Sequence, residues 1–312
     1  MELRQLGELG LIERIRRAAG RRPGAGVVFG IGDDAAVLRP RVGEDVVAST
    51  DALVEGVHFR FGNESARSIG RRALVANLSD LAAMGARPLG FLWALAAPPR
   101  LDVRVVDGFV RGLLEEAERY ACPLVGGNCS GARDTSLTLT VMGAVKRGRA
   151  LTRDGTRAGD GIYVTGVLGA AALDRARADR GGRVRFVAEP RLAAGRTLAR
   201  MSGVGGCIDV SDGLDADLGK LFGNRQLRPR IDIARLPVAA GFRSACARLG
   251  LDPERLLRGG GEDYELLFTL RPGAPSEAVL SRRLAVPVSW IGNATAGRGE
   301  RPKAAGWSHF GS

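Results

Sequence analysis

The sequence predicts an α/β protein of the α+β type, made of two mixed α/β domains. Three observations carry that expectation. Helical and strand patterns alternate along nearly the whole chain. A polar, glycine-rich stretch at 146–161, K-R-G-R-A-L-T-R-D-G-T-R-A-G-D-G, interrupts them near the middle. With 312 residues in all, each side of that stretch is long enough to bury a core of its own. The expected domains are residues 1–148 and 149–312.

Taken in order, Leu6, Leu9, Ile12 and Ile15 recur at helical spacing, so residues 3–19 read as an amphipathic helix. Val27–Phe29 and Val46–Ser49 read as strands, parted by Pro40 and Gly43. A helix between Ser65 and Met84 stops at Gly85, and Phe91–Ala97 is a strand. Leu101–Tyr120 is a helix capped by Asp102, with Val106, Phe109, Val110 and Leu113 on its buried side. A strand at Leu124–Val125 runs into G-G-N-C-S, and Ser136–Val145 alternates like a half-buried strand.

In the second half, strands are expected at 162–165, 207–210, 231–233, 264–270 and 286–291. Helices are expected at 168–178, 190–201, 212–222, 238–249 and 277–284.

Composition narrows the function classes. Hydrophobic residues make up 45% of the chain, and no apolar run approaches the ~20 residues that span a bilayer. The first twenty residues mix acids and bases, unlike a secretory signal. A cytoplasmic protein with no membrane partner is expected. Cys122, Cys129, Cys207 and Cys246 lack C-x-x-C spacing, and only His58 and His309 are present, so neither a zinc site nor a histidine-based triad is easily assembled. The net charge of +12 raises nucleic-acid binding, but the arginines are spread along the whole chain and aromatics are only 5%. No nucleic-acid partner is expected.

The chemistry sits in carboxylates at the ends of apolar runs. V-V-F-G-I-G-D-D-A-A-V-L at 27–38 sets Asp33 and Asp34 on a glycine-framed turn. Two anions ~4 Å apart repel by roughly 1 kcal/mol in water and by more where water is excluded. A turn that keeps them together suits a cation, although Gly and Asp are ordinary turn residues. The pattern recurs as S-T-D at 49–51, N-L-S-D at 77–80, I-D-V-S-D-G at 208–213 and G-G-G-E-D at 259–263. Hard oxygen donors of this kind suit Mg²⁺, which fills its shell with water and phosphate oxygens.

Gly30, Gly32 and Ala35 match a variant dinucleotide fingerprint, with Asp51 at the ribose-binding distance. That fingerprint needs a helix straight after the turn, and Pro40 and Gly43 leave no room for one. The segment reads as strand–turn–strand. With no Walker A motif or kinase glycine loop, phosphate chemistry must rest on metal ions, backbone amides and arginines.

Together these blocks resemble the thiamine-monophosphate kinase family, in the superfamily of aminoimidazole-ribonucleotide synthetase and selenophosphate synthetase. The resemblance runs from L-G-E-L-G-L-I at 6–12 to G-W-S-H-F at 306–310. It takes in G-D-D-A-A (32–36), S-T-D-A-L-V-E-G-V-H-F (49–59), N-L-S-D-L-A-A-M-G-A (77–86), G-G-N (126–128), R-D-G-T-R-A-G-D (153–160), D-V-S-D-G-L (209–214) and G-G-E-D-Y-E-L-L-F (260–268). It implies ATP-dependent phosphorylation of thiamine monophosphate to the diphosphate, in a homodimer whose N-terminal sheets pair into a β-barrel.

By position, the resemblance implies that Asp33, Ser49, Thr50, Asp51, Asp80, Asn128, Asp209 and Asp212 hold several Mg²⁺ ions. Asp51, Asp80 and Asp212 would be the most critical of these. It implies that Gly127, Asn128, Arg153 and Ser211 contact ATP, and that His58, Glu262 and Trp307 meet the thiamine phosphate. Many family members carry G-G-D-T where this chain has Gly126-Gly127-Asn128-Cys129, so one metal should be held less tightly. Two other readings compete: a sister ATP-dependent synthetase, whose reactive N-terminal Cys or Sec stretch is missing here, and a catalytically silent nucleotide-binding protein.

Overall fold

Glycine interrupts the first helix in a way that periodicity alone does not show. The computed structural model describes every residue except 21–25, 32–33, 224–225 and 298–312, so Asp33 and Trp307 lie outside the described residues. Helix α1 (Leu3–Ala19) buries Leu11, Ile15 and Ala19, whereas Leu9 and Ile12 are exposed. Gly7, at φ 72°, breaks the helical geometry and resets the phase of the face, so the expected stripe of Leu6, Leu9, Ile12 and Ile15 is only partly buried. Strands β1 (Val27–Phe29) and β2 (Val37–Leu38) pair antiparallel, Val27 against Leu38, which is the strand–turn–strand form.

The chain forms two compact units. The first comprises residues 1–81, 87–148 and 181–187. Its sheet has the order β3-β6-β4-β5, with β3 Glu44–Val54, β6 Ser136–Lys146, β4 Arg87–Ala97 and β5 Leu124–Gly131. Strands β4 and β5 run parallel and are joined through helix α3 (Val103–Arg119). Asp102 caps α3 as expected, its side chain accepting the Arg104 N–H at 2.9 Å. In β6, buried Leu137, Leu139 and Val141 alternate with half-buried Thr138 and Thr140, so one face of the sheet packs inward.

Helix α2 (Ala66–Ala83) lies against α3 backbone to backbone. A Cβ on Gly70 would fall 2.3 Å from the Phe109 carbonyl oxygen, and one on Gly112 2.0 Å from that of Arg67. Only glycine permits that approach.

The second unit comprises residues 82–86, 149–180 and the described residues from 188 onward. Its sheet is antiparallel throughout, in the order β8-β10-β7-β11-β9. These strands are β7 Gly161–Thr165, β8 Val204–Asp209, β9 Leu227–Ile231, β10 Leu266–Leu270 and β11 Val288–Ala296. Helices α4 (Ala170–Ala178), α5 (Leu192–Leu198), α6 (Leu214–Phe222), α7 (Phe242–Arg248), α8 (Pro253–Gly259) and α9 (Glu277–Leu284) complete it. Ile162, Val164, Ile208, Leu221, Phe242, Leu267 and Ile291 share its core.

Three expectations need correction. Helix α8 was not anticipated, although Asp252 caps it and Pro253 opens it, which is the usual chemistry of a helix start. Strand β5 continues to Gly131, so Gly126, Gly127 and Asn128 lie inside an edge strand rather than in a loop after it. Strand β10 begins at Leu266, not Tyr264, because Glu262 and Tyr264 take positive φ of 66° and 52°, outside strand geometry.

Candidate active site

In the first unit, strand period and helix period bring separate motifs together. Ser49 and Asp51 are two apart on β3, so their side chains leave the same face. Asn77 and Asp80 are three apart on α2, so they share a helix face. The two faces meet: Ser49 Oγ donates to Asp80 Oδ2 at 2.5 Å, and the Asp51 N–H donates to Asn77 Oδ1 at 3.1 Å. Asn77 is buried, and its Nδ2 donates to the Ala73 carbonyl at 2.9 Å, which fixes the amide's orientation. Asn77 was not singled out from the sequence; its i, i+3 spacing from Asp80 was the available signal.

Thr50 points the other way. Its hydroxyl donates to the Leu139 carbonyl at 2.9 Å and accepts from Thr140 Oγ1 at 3.1 Å. Gly127 and Asn128 sit on β5, at the opposite edge of the sheet from β3, about three strand spacings or roughly 14 Å away. A Cβ on Gly127 would fall 1.9 Å from the Trp93 carbonyl oxygen, so this position requires glycine.

His58 follows β3 in a tight turn. Its Nδ1 accepts the Val54 N–H at 3.0 Å, which leaves the proton of the neutral ring on Nε2. Arg72 holds the turn from below, donating to the His58 carbonyl at 3.3 Å and pairing with buried Glu64 at 2.5 Å.

In the second unit the two loops with the densest carboxylates run side by side. Asp209 ends β8, is buried, and pairs in register with Leu266. Beyond it, the Ser211 carbonyl accepts the Glu262 N–H at 2.8 Å, and the Val210 carbonyl accepts the Tyr264 N–H at 2.9 Å. D-V-S-D-G is therefore stitched to G-G-E-D-Y-E.

Four of the carboxylates in these loops have the following partners. Glu262 pairs with Arg175 at 2.7 Å. Asp263 is buried and accepts the N–H groups of Gly169 (2.7 Å) and Ala171 (3.1 Å) at the start of α4. Burial pushes its carboxyl up to about 7 against the lowering pull of those two bonds. Glu265 accepts from Thr165 Oγ1 at 2.6 Å and from Arg191 at 2.6 and 2.7 Å.

Asp212 pairs with Lys220 at 2.5 Å, and Lys220 also meets buried Asp217 at 2.7 Å. Neither Asp217, Lys220 nor Arg175 was identified from the sequence, because nothing in their spacing marks them. Arg153 opens an exposed 3₁₀ turn, Arg153–Gly155, which is tied to β8 through the Cys207 N–H and the Thr152 carbonyl at 2.9 Å.

These donors are hard oxygens, the chemistry that fits Mg²⁺. Among the described residues, no three His, Cys, Asp or Glu side chains gather closely enough to hold a metal ion. The four cysteines form no disulfide, and burial pushes the thiols of Cys122 and Cys207 up, which agrees with a structural role. Among the described residues, no helix is long and apolar enough to cross a membrane.

Comparison with known proteins agrees with this picture. Residues 32–145 match the model of the AIR synthase related protein, N-terminal domain. The chain is 38% identical to the thiamine-monophosphate kinase of Escherichia coli K12 over 288 residues, covering 86% of this chain and 85% of that protein. It is 35% identical to that of Mycobacterium tuberculosis H37Rv over 275 residues, covering 85% and 81%.

Among solved structures, the thiamine-monophosphate kinase of Stenotrophomonas maltophilia K279a superposes with a TM-score of 0.81 at 35% identity, covering 94% of this chain and 96% of that one. A structure of AaThiL complexed with AMPPCP and TMP superposes at 0.77 with 28% identity, covering 99% of both chains. Hydrogenase maturation protein HypE, at 21% identity and a TM-score of 0.78, shares the fold. With identities of this size over most of its length, the chain belongs to the thiamine-monophosphate kinase family.

Proposed function

We propose that this protein transfers the γ-phosphoryl group of ATP to thiamine monophosphate, giving ADP and thiamine diphosphate, the last step in making that coenzyme. The observation that carries the reading is the match to thiamine-monophosphate kinases over most of the chain. The related AaThiL bound to AMPPCP and TMP supports the same pair of substrates.

The physical problem is the approach of one anion to another. The acceptor is a phosphate oxygen already ionised at neutral pH, so no side chain has to remove a proton from it. Bound Mg²⁺ supplies the positive charge that offsets repulsion between the β- and γ-phosphates and the acceptor phosphate.

This chain's residues arrange that charge. Asp51, Asp80, Asp209 and Asp212 serve as carboxylate ligands, with Asp33, Ser49 and Asn128 as further oxygen donors; the Thr50 hydroxyl, held by Leu139 and Thr140, is dropped from that set. Ser49 orients the Asp80 carboxylate through its 2.5 Å bond. Gly127, Asn128, Arg153 and Ser211 bind the nucleotide. Glu262, Trp307 and the Nε2–H of His58 meet the thiamine phosphate. Residues 1–148 serve as the metal, nucleotide and dimerisation domain, and residues 149–312 complete the substrate site.

We assign the working form to a cytoplasmic homodimer. Strand β3 is a sheet edge, and the sheet face that carries Thr50, Thr138 and Thr140 is not fully buried. A sheet edge of this length invites pairing with a second copy, which closure into a barrel would satisfy. Sedimentation equilibrium tests this, and a monomer at micromolar protein would refute it.

The activity is tested by ADP release with and without thiamine monophosphate, with thiamine diphosphate identified by mass. Release that does not depend on the acceptor overturns the reading. Direct in-line transfer predicts inversion at an isotopically chiral γ-phosphorus, and net retention would rule it out.

A further inference from the structure

The aspartates of D-V-S-D-G sit on a turn whose backbone is held by a residue from the helix that follows. Asp217, in the first turn of α6, is fully buried. Its Oδ2 accepts the N–H of Ser211 at 2.9 Å and the N–H of Asp212 at 3.0 Å. Its Oδ1 accepts from Lys220 Nζ at 2.7 Å, and the same ammonium reaches Asp212 Oδ2 at 2.5 Å.

A carboxylate reaching back from inside a helix to capture two successive N–H groups fixes the peptides before the helix start. The lysine one turn further on closes the arrangement by touching both acids. Burying such a carboxylate costs free energy unless it is fully hydrogen-bonded. Here its two oxygens take three bonds, two from the turn and one from Lys220.

We propose that Asp217 is a positioning residue. Through the N–H groups of Ser211 and Asp212 it sets the direction in which the Asp209 and Asp212 carboxylates point, and through Lys220 it fixes the Asp212 rotamer. This rests on the reading of Asp209 and Asp212 as metal ligands. Residues that orient ligands without touching the ion commonly change metal affinity by 10- to 100-fold.

The test is Mn²⁺ binding to the full-length protein with a non-hydrolysable ATP analogue, followed by electron paramagnetic resonance. Two charge-matched double variants separate positioning from simple charge. Asp217→Leu with Lys220→Met removes every acceptor and donor yet keeps the net charge, and is expected to weaken Mn²⁺ by about tenfold or more. Asp217→Asn with Lys220→Gln rebuilds the network from amides, and is expected to stay within about threefold of the parent. Equal binding by both doubles, or equal loss in both, overturns the inference.

If the Leu/Met protein does not fold, the single Asp217→Asn variant replaces it. Its amide N–H₂ faces the Lys220 ammonium, so it should lose Mn²⁺ affinity and regain it when Lys220→Gln is added. Absence of that rescue overturns the inference. Asp212→Asn is measured in parallel. If it binds Mn²⁺ like the parent, the ligand assignment itself is wrong and the inference falls with it. If it loses Mn²⁺ while both doubles keep it, only the positioning role is wrong.

Discussion

Ser49 on β3 donates its hydroxyl to Asp80 on α2 across 2.5 Å, joining two motifs 31 residues apart. The contact sets the orientation of the Asp80 carboxylate. Ser49→Ala should therefore raise the Mg²⁺ concentration for half-maximal rate by about tenfold, with a smaller fall in kcat. Asp80→Asn should lower kcat by roughly 100-fold or more, because charge at the transferring phosphates is lost. Initial rates over a Mg²⁺ series check both, and equal Mg²⁺ requirements in Ser49→Ala and the parent would count against the link.

Asn128 offers a carbonyl oxygen where the resemblance to the family implies a carboxylate. Restoring the charge with Asn128→Asp should lower the half-saturating Mg²⁺ concentration severalfold at unchanged KM for thiamine monophosphate. An unchanged or higher Mg²⁺ requirement would show that this edge of the sheet holds no ion.

Gly127 should tolerate no side chain, since a Cβ would meet the Trp93 carbonyl at 1.9 Å. Gly127→Ala forces β5 away from β4 and is expected to cost about 2 kcal/mol or more. Differential scanning calorimetry reads this as a fall of several degrees. A melting temperature equal to the parent's would show that the strand shifts without cost.

Asp263 should make stability fall as pH rises. Its carboxyl is raised from 3.8 to about 7 by burial, so between those values the folded chain holds a proton that the unfolded chain has released. Stability contributed by the neutral acid is complete below about pH 4, declines toward pH 7 and is flat above it, a change on the order of 1–4 kcal/mol. Urea midpoints for the parent and Asp263→Asn should therefore separate progressively over pH 4–7, the parent losing ground. A constant gap would mean that the Gly169 and Ala171 N–H groups keep the carboxylate ionised throughout.

Periodicity and turn chemistry made most elements legible, because an amphipathic face such as Val106, Phe109, Val110 and Leu113 leaves helix few competitors. The chemical blocks were legible as motifs too. What pattern could not supply was direction. Ser49, Thr50 and Asp51 are consecutive in sequence, yet the pleat sends Thr50 to Thr140 and away from Asp80. Asn128 and Asp51 belong to one sheet but to opposite edges, and strand order is a non-local property.

Glu262 and Tyr264 defeated the strand reading because non-glycine residues at positive φ have no local signature. They are held there by bonds to Ser211 and Val210, about fifty residues earlier in the chain. Asp217 was hidden for a similar reason. An aspartate inside a helical run reads as surface until the partners of its oxygens are known.

Gly70 and Gly112 let α2 and α3 touch through their main chains, and the far end of α2 carries Asp80. Ten residues of helix act as a stiff lever of about 15 Å. A single added methyl at Gly70 would tilt that lever and swing the carboxylate at its tip. Among the positions that govern where an ion could sit, some thus hold no functional group at all, and a screen confined to polar residues would pass over them.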